Sequence, residues 1–382
     1  TLNINGKGSE NLASNADVTS GAQRGNNGAS SANLRGQGSD STLVLLNGRR
    51  VATHGMKGSA VDLNSIPMAA VERVEVLKDG ASAVYGTDAI GGVINFILRK
   101  NYKGLEAQAF TDVAEASGGE IGRASLTGGW GDLDTQGWNV LATLSHSENK
   151  ALRGNQRDFV NTFQPNRGVS VDTRGTPSGN IFATTLAPTL LSRTGTGPTL
   201  PGSSVAYNGI SLLDLPGGAG CDSIDGMGAY DEKLWDTPGA AYGCAWDTGR
   251  AAVLQQPVKN TNALGRATFR IGEHELFAEG VASRVEVSKR FSPNQISPSA
   301  STFGASSFYP STGAAYNDVY NALVKTFPGI SANYGLPIAY RWRCMECGNR
   351  EITTETTASR VPVGADGPLT LFGNLYDYRV GL

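Results

Sequence analysis

The chain lacks any apolar run near the roughly 18 residues that a membrane-crossing helix needs. Charge is sparse: 17% of residues carry one, and the formal net charge is −2. No basic field therefore points to nucleic acid as a partner. Only 3 histidines occur, and His54, His146 and His274 show no metal-ligand spacing. There is no HExxH, no serine in a nucleophile elbow, and no pair of carboxylates placed on one cleft wall. No catalytic residue, metal site or cofactor is assigned on these grounds. What the chain has in quantity is glycine, 50 of 382 residues. Glycine that high with charge that low is unusual for a soluble enzyme. A β-barrel stays open, because its strands need only about ten alternating residues each.

Cysteine is scarce too, with 4 in the chain. Cys221 and Cys244 bracket a Gly/Asp/Tyr-rich segment, and Cys344-Met345-Glu346-Cys347 is a CxxC. A redox dithiol would sit in a βαβ context, and none surrounds it. A zinc site would need a second ligand pair, which the sequence does not offer. In a secreted loop the oxidising compartment favours disulfides. We expect Cys221–Cys244 and Cys344–Cys347, with cross-pairing as the alternative.

The densest information lies in ERVEVLKDGASAVYGTDAIGGVINFILRK, residues 72–100. Val71, Val74 and Val76 start an apolar strand, Asp79-Gly80 turns it, and Gly86 stops a short Ala81–Tyr85 turn. Gly91-Gly92 lets the backbone change direction where a side chain would clash. Val93 to Leu98 is then an apolar strand interrupted only by Asn95, a pattern that suits burial on both faces. Residues 79–92 lack the Lys-Ser/Thr ending of a phosphate-binding loop and the long helix that would follow one. Upstream, Thr42–Leu46, Asn47-Gly48 and Arg49–Ala52 read as a hairpin with a type I′ turn. Asn64/Ser65 with Pro67 predicts a cap and first turn for a short helix over 67–71.

The segments NLRGQGSDSTLVLLNGRRV (33–51), DLNSIPMAAVERVEVL (62–77) and 72–100 together closely resemble the plug domain of TonB-dependent outer-membrane receptors. The resemblance implies an α+β plug inside a large transmembrane β-barrel of roughly 22 strands. It implies a cell outer membrane of a Gram-negative bacterium, with outer-membrane lipid around the barrel. The energy-transducing TonB protein is the implied partner, acting through an N-terminal box that we expect upstream of Thr1. The implied ligand is a scarce extracellular nutrient: a siderophore, a cobalamin-like molecule or an oligosaccharide. Residues 20–31 and 53–59 look like the plug apices that face it, with Arg24, His54 and Lys57 as polar candidates. Arg35 and Arg73 occupy positions that, in the resemblance, point from plug to barrel wall and pair there with glutamates of later strands, expected in the part of the receptor absent from this chain; the alternative is two ordinary surface arginines.

Beyond Lys100 helix patterns vanish and period-two segments appear. In 121–131, Ala124, Leu126 and Trp130 oppose Arg123, Ser125 and Thr127. In 137–147, Trp138, Val140, Ala142 and Leu144 oppose Asn139, Thr143 and Ser145. In 263–271, Ala263, Gly265, Ala267, Phe269 and Ile271 oppose Arg266, Thr268 and Arg270. Segment 274–288 is less clean, with Phe277 and Val281 opposite Leu276 and Ala278; 350–363 is weaker still, and 370–382 ends the chain. Short connections fall at 131–136, 271–274 and near 364–369. Long ones fall at 150–262 and 291–349. Short turns on one side and long loops on the other suit an outer-membrane barrel. Loops beyond about 15 residues would be uncommon in a compact sandwich.

The expected architecture is therefore a plug over 1–100, its N-terminal part missing, followed over 101–382 by about seven antiparallel strands of a barrel. Thr1 reads as mid-plug sequence and the C-terminal YDYRVGL stops inside a strand pattern, so an internal piece of a longer receptor is expected. The Trp130, Trp138 and Phe269 faces should meet lipid, and Arg266 and Arg270 the lumen. The competing expectation is a secreted or surface β-sandwich, such as an adhesin or carbohydrate-binding module. Aromatics of the long loops (Tyr230, Trp235, Tyr242, Trp246, Phe308, Tyr309 and Trp342) either stack on ligand rings or pack the loops onto themselves.

Overall fold

Asn47 and Gly48 both adopt positive φ, 52° and 74°, the type I′ geometry whose twist matches that of the strands it joins. The turn closes a hairpin of strands β1 (Thr42–Leu46) and β2 (Arg49–Arg50). The computed structural model that shows this describes residues 30–53, 60–79, 81–161, 175–207, 209–230, 238–251, 253–298 and 308–382. β3 (Val71–Leu77) and β4 (Gly92–Leu98) complete a four-stranded sheet of order β2-β1-β4-β3. β4 is central, parallel to β1 and antiparallel to β3. A side chain at Gly92 (φ 132°) would put its Cβ 2.7 Å from both Leu77 O and Leu34 Cδ1, so only glycine fits there. The expected helix over 67–71 is instead a single 3₁₀ turn, Met68–Ala70, with no side-chain cap. The cap belongs to the preceding turn, Leu63–Ser65, where the Asp62 carboxylate accepts from Asn64 N and also from Ser30 N.

β1 is buried along its whole length because its two faces enter two cores. Leu43 and Leu45 pack with Ala81, Ala89 and Val93. Val44 and Leu46 pack with Ile66, Ala70, Phe96 and Leu98, and with Leu141 and Leu264 from the second sheet.

That second sheet comprises β5 (Gly104–Asp112), β6 (Ile121–Asp132), β7 (Trp138–Asn149), β8 (Val258–Ile271), β9 (His274–Pro293), β10 (Asn349–Arg360), β11 (Val363–Leu371) and β12 (Asn374–Gly381). Its order is β12-β11-β9-β8-β7-β6-β5, with β10 also on β9. The β7–β8 and β8–β9 ladders run in unbroken antiparallel register for most of their length. β10 and β11 are separated only by Val361-Pro362, where Pro362 O accepts from Glu279 N. Proline has no N–H for a ladder, which is why a strand breaks there. The connection expected near 364–369 lies inside β11. The turn falls at Phe372-Gly373, both with positive φ (53° and 82°). β5 was not among the expected segments.

Burial alternates along the middle of the central strands β7 and β8. On β8, Leu264, Arg266 and Thr268 are buried while Ala263, Phe269 and Ile271 are exposed. On β7, Asn139, Leu141 and Thr143 are buried while Leu144 is 55% exposed. On β6, Trp130 is 59% exposed. One face of this sheet is thus apolar and open, and the other meets the plug.

By contact the chain divides into two units. The first is Thr1–Leu152, Val253–Arg290 and Glu351–Leu382, and the second is Arg153–Ala252 and Phe291–Arg350. The second corresponds to the two long connections. It holds its own core of Leu190, Ile210, Tyr316, Leu323, Ile330 and Ile338 among others. Helix α1 (Ala81–Tyr85) lies in the plug, and α2 (Tyr316–Thr326) lies in this second unit. α2 corrects the expectation that helix patterns end at Lys100: Tyr316, Val319, Tyr320 and Leu323 fall at i, i+3, i+4 and i+7 and all join that core. The segment Ile338–Arg343 pairs with Gln295–Ile296, Phe308–Tyr309 and Asn180–Ile181.

Candidate functional site

Within the first unit the plug is held to the sheet by a small set of polar contacts around the hairpin tip. Asn47 uses both ends of its amide. Its Oδ1 accepts from Leu98 N (2.9 Å), and its Nδ2 donates to Glu279 Oε2 on β9 (3.0 Å). Glu279 pairs with Arg266 of β8 at 2.9 Å, with side chains only 1% and 4% exposed. Arg266 Nε also donates to Thr268 Oγ1. A fully desolvated pair like this is costly to break, because either survivor becomes an uncompensated buried charge. Phe277, one turn of the pleat away, lies under two guanidinium groups: Arg49 of the plug hairpin at 4.5 Å and Arg266 at 5.1 Å. Further along, Lys100 Nζ meets Glu275 Oε1 at 2.7 Å, and Asn260 Nδ2 donates to Asn64 O at 2.5 Å.

Arg266 and Phe269 sit on opposite faces of β8, Arg266 buried and Phe269 exposed. Arg270 shares the parity of Arg266, and near the strand end it pairs with Asp134 of the β6–β7 turn at 3.0 Å. Arg35 and Arg73 both find carboxylates close by. Arg35, at φ 60°, pairs with Asp79 of the plug at 2.5 Å, and its side chain is 43% exposed. Arg73 Nη2 pairs with Glu75 at 2.9 Å and its Nη1 with Glu72 at 3.4 Å. Both arginines pair with nearby carboxylates at the surface. Arg24, His54 and Lys57 lie outside the described residues, as does Trp235.

In the second unit, disulfides join Cys221 to Cys244 and Cys344 to Cys347. Tyr230 and Trp246 are buried in small cores, the latter beside the first disulfide. Trp342 donates from Nε1 to Pro177 O at 2.8 Å. Phe308 and Tyr309 pair with Ala339 and Ile338 in a short ladder. Tyr242 behaves differently. It is half-buried, adopts φ 64°, and meets the rings of Tyr207 (5.4 Å) and Phe327 (5.9 Å); those two are 5.2 Å apart. The three rings line a cleft of about 570 Å³ with Arg193 and Asn333. Tyr207 and Phe327 were not singled out in the sequence, since no local pattern connects positions so far apart. Burial, and secondarily the neighbouring Tyr242, holds the Tyr207 phenol above its ordinary pKa.

Among the described residues no group of three or more His, Cys, Asp and Glu side chains is placed to hold a metal. His146 instead shares a hydrogen bond with Thr261 Oγ1, and His274 with the Tyr378 hydroxyl.

The TonB-dependent Receptor Plug Domain family matches residues 5–93, so this stretch is a plug domain of that family. Three solved structures illustrate the likeness of the longer chain. The ferric enterobactin receptor PfeA of Pseudomonas aeruginosa, a mutant in complex with enterobactin, is 16% identical, with 91% of this chain and 33% of that chain covered at a TM-score of 0.41. The siderophore receptor PirA of Acinetobacter baumannii is 14% identical, covering 89% and 39% at a TM-score of 0.36. The ferric-catecholate import receptor Fiu of E. coli K12, in an open form, is 12% identical, covering 90% and 42% at 0.34. This chain thus spans 33% to 42% of the length of these receptors.

Proposed function

We propose that this chain is the plug and first wall strands of a TonB-dependent outer-membrane receptor that takes up a scarce nutrient. The observation that carries the reading is a plug domain packed on one face of an antiparallel sheet whose other face is apolar and open. Leu141 and Leu264 reach inward to Val44, Leu46 and Phe96. Leu126, Trp130, Leu144 and Phe269 face away, each at least 48% exposed. Lipid is the natural partner for such a face, since alternation of lipid-facing and interior residues defines a transmembrane barrel strand. A β-sandwich would cover that face with a second sheet. The protein is a receptor and not an enzyme, and its partners are TonB, outer-membrane lipid and an extracellular ligand.

In this reading the plug closes the lumen, and Asn47, Arg49, Asn64 and Lys100 hold it against the wall until TonB draws on its N-terminal side. The test is expression of the full gene in a Gram-negative host. We expect outer-membrane fractionation, a heat-modifiable band on electrophoresis, and nutrient uptake that disappears in a tonB-deleted strain. A soluble periplasmic or extracellular product, or uptake indifferent to TonB, would overturn the reading.

A further inference from the structure

The receptor reading leaves the ligand open, and the second unit contains a site that bears on it. Tyr207, Tyr242 and Phe327 come from three separate stretches of chain, yet their ring centroids lie 5.2–5.9 Å apart. They border the core that fully buries Tyr316 and Leu323, at 1% and 0% exposure, but they themselves stay half-buried and turn toward the cleft. Tyr242 reaches this position from a left-handed backbone, a conformation that a bulky residue adopts only when its surroundings enforce it. The enforcement is visible. Tyr242 O accepts from Ser211 N at 2.7 Å, and two residues on, Cys244 is tied to Cys221. Ordinary packing does not require a tyrosine at a position where glycine is at ease.

The polar lining narrows the ligand chemistry. Among the described residues Arg193 is the one charged side chain on the cleft, and no carboxylate of theirs lines it. Its guanidinium already donates to Asn333 Oδ1 and to Ala332 O, both at 2.9 Å. A multiply charged anion would find too little positive charge there. The hydroxyls of Thr196 and Thr199 offer neutral donors and acceptors instead, while the Asn333 amide is held between Arg193 and Leu190 O. The volume, about 570 Å³, falls within the range of small-molecule sites, roughly 300–1,000 Å³. Aromatic faces beside neutral hydroxyl groups match a ring that is apolar on its C–H faces and polar at its rim.

We propose that this cleft binds a pyranose unit of a neutral oligosaccharide, its C–H face stacked on Tyr242 and Phe327 and its hydroxyls bonded at the Thr196–Thr199 rim. The proposal rests on the receptor reading above and names the ligand class for it.

The experiment uses the full-length receptor in detergent, with calorimetric titration of maltohexaose, cellohexaose and xylohexaose, and of an iron(III) tris-catecholate as the anionic comparator. We expect at least one neutral oligosaccharide to bind and the tris-catecholate not to compete with it. Tyr242→Ala and Phe327→Ala should each weaken that binding at least tenfold, while Tyr242→Phe retains it. If the ring variants fail to fold, Thr196→Val, at the rim, should still weaken binding several-fold without touching the ring cluster. Two results overturn the proposal: no neutral probe binding wild-type protein, or binding unmoved by the folded ring variants or by Thr196→Val. Outer-membrane fractionation and TonB dependence are scored on the same protein. A failed sugar site with intact TonB dependence is thereby distinguished from failure of the receptor reading.

Discussion

The two units solve the problem of burial in opposite ways. The first holds its plug with alternate residues and leaves the other half of each wall strand apolar and uncovered, as on Leu126, Trp130 and Leu144. It contains none of the cysteines. The second packs Tyr316, Leu323 and Ile338 into an interior of its own and fixes its segments with both disulfides. One unit is built to be completed by an apolar surrounding. The other closes a core of its own, and its irregular segments, with only short ladders between them, are cross-linked.

The sharpest way to break this contrast is at the wall's own Arg266–Glu279 ion pair, beneath the Asn47 amide. Glu279→Ala leaves Arg266 buried and unpaired, and should destabilise the first unit by about 3–5 kcal/mol. Denaturant unfolding of the refolded full-length protein, followed by limited proteolysis of the plug, measures this. A loss under 1 kcal/mol would mean that water reaches the pair.

Next in size is the open face. Leu144→Arg, opposite Leu126 and Ala263 on a central strand, should cost about 2–4 kcal/mol in a bilayer and almost nothing in the same protein held in water-soluble polymer. Folding titrations in lipid vesicles compare the two. Equal effects in both media would argue that this face is covered by protein.

In the second unit, Cys221→Ser with Cys244→Ser should lower stability by about 2–4 kcal/mol while leaving the wall transition in place. Calorimetry with resolved transitions checks it. A single transition shifted as a whole would show that the units unfold together.

Arg73→Ala should change stability by less than about 1 kcal/mol, because its partners Glu72 and Glu75 are exposed neighbours. A large loss would show that Arg73 makes a further, buried contact in the full-length receptor. The smallest effect concerns Tyr207. Its raised pKa means the folded state holds the proton more tightly than the unfolded one. That contribution is fully present below the ordinary tyrosine value of 10.0 and is lost as pH climbs through the raised one. Ultraviolet titration should show a late-ionising phenol that disappears in Tyr207→Phe.

The hairpin at Asn47-Gly48 was legible because few residue pairs tolerate two positive φ angles in succession. The faces of β8 were legible because Phe269 and Arg266 differ in where each can be tolerated. β9 read poorly for a physical reason: Phe277 and Val281 are apolar but face the plug, so both sides of the strand carry apolar residues. Gly364, Gly367 and Pro368 look like a turn, yet they run along β11, and the turn forms at Phe372-Gly373 with a bulky residue at positive φ. The local carboxylates beside Arg35 and Arg73 were not legible, because sequence position does not reveal which acidic group an exposed guanidinium meets. The aromatic cleft was the least legible feature, since Tyr207, Tyr242 and Phe327 meet only through the tertiary fold.

The amide of Asn47 has one consequence for how the plug's position is sensed. It caps the Arg266–Glu279 pair, and its other end is bonded to the backbone of β4. Moving the hairpin tip would admit water to a spot of low dielectric, where the attraction between these charges is several times stronger than in water. The wall would register departure of the plug as a drop in its own electrostatic cohesion, transmitted by one side chain.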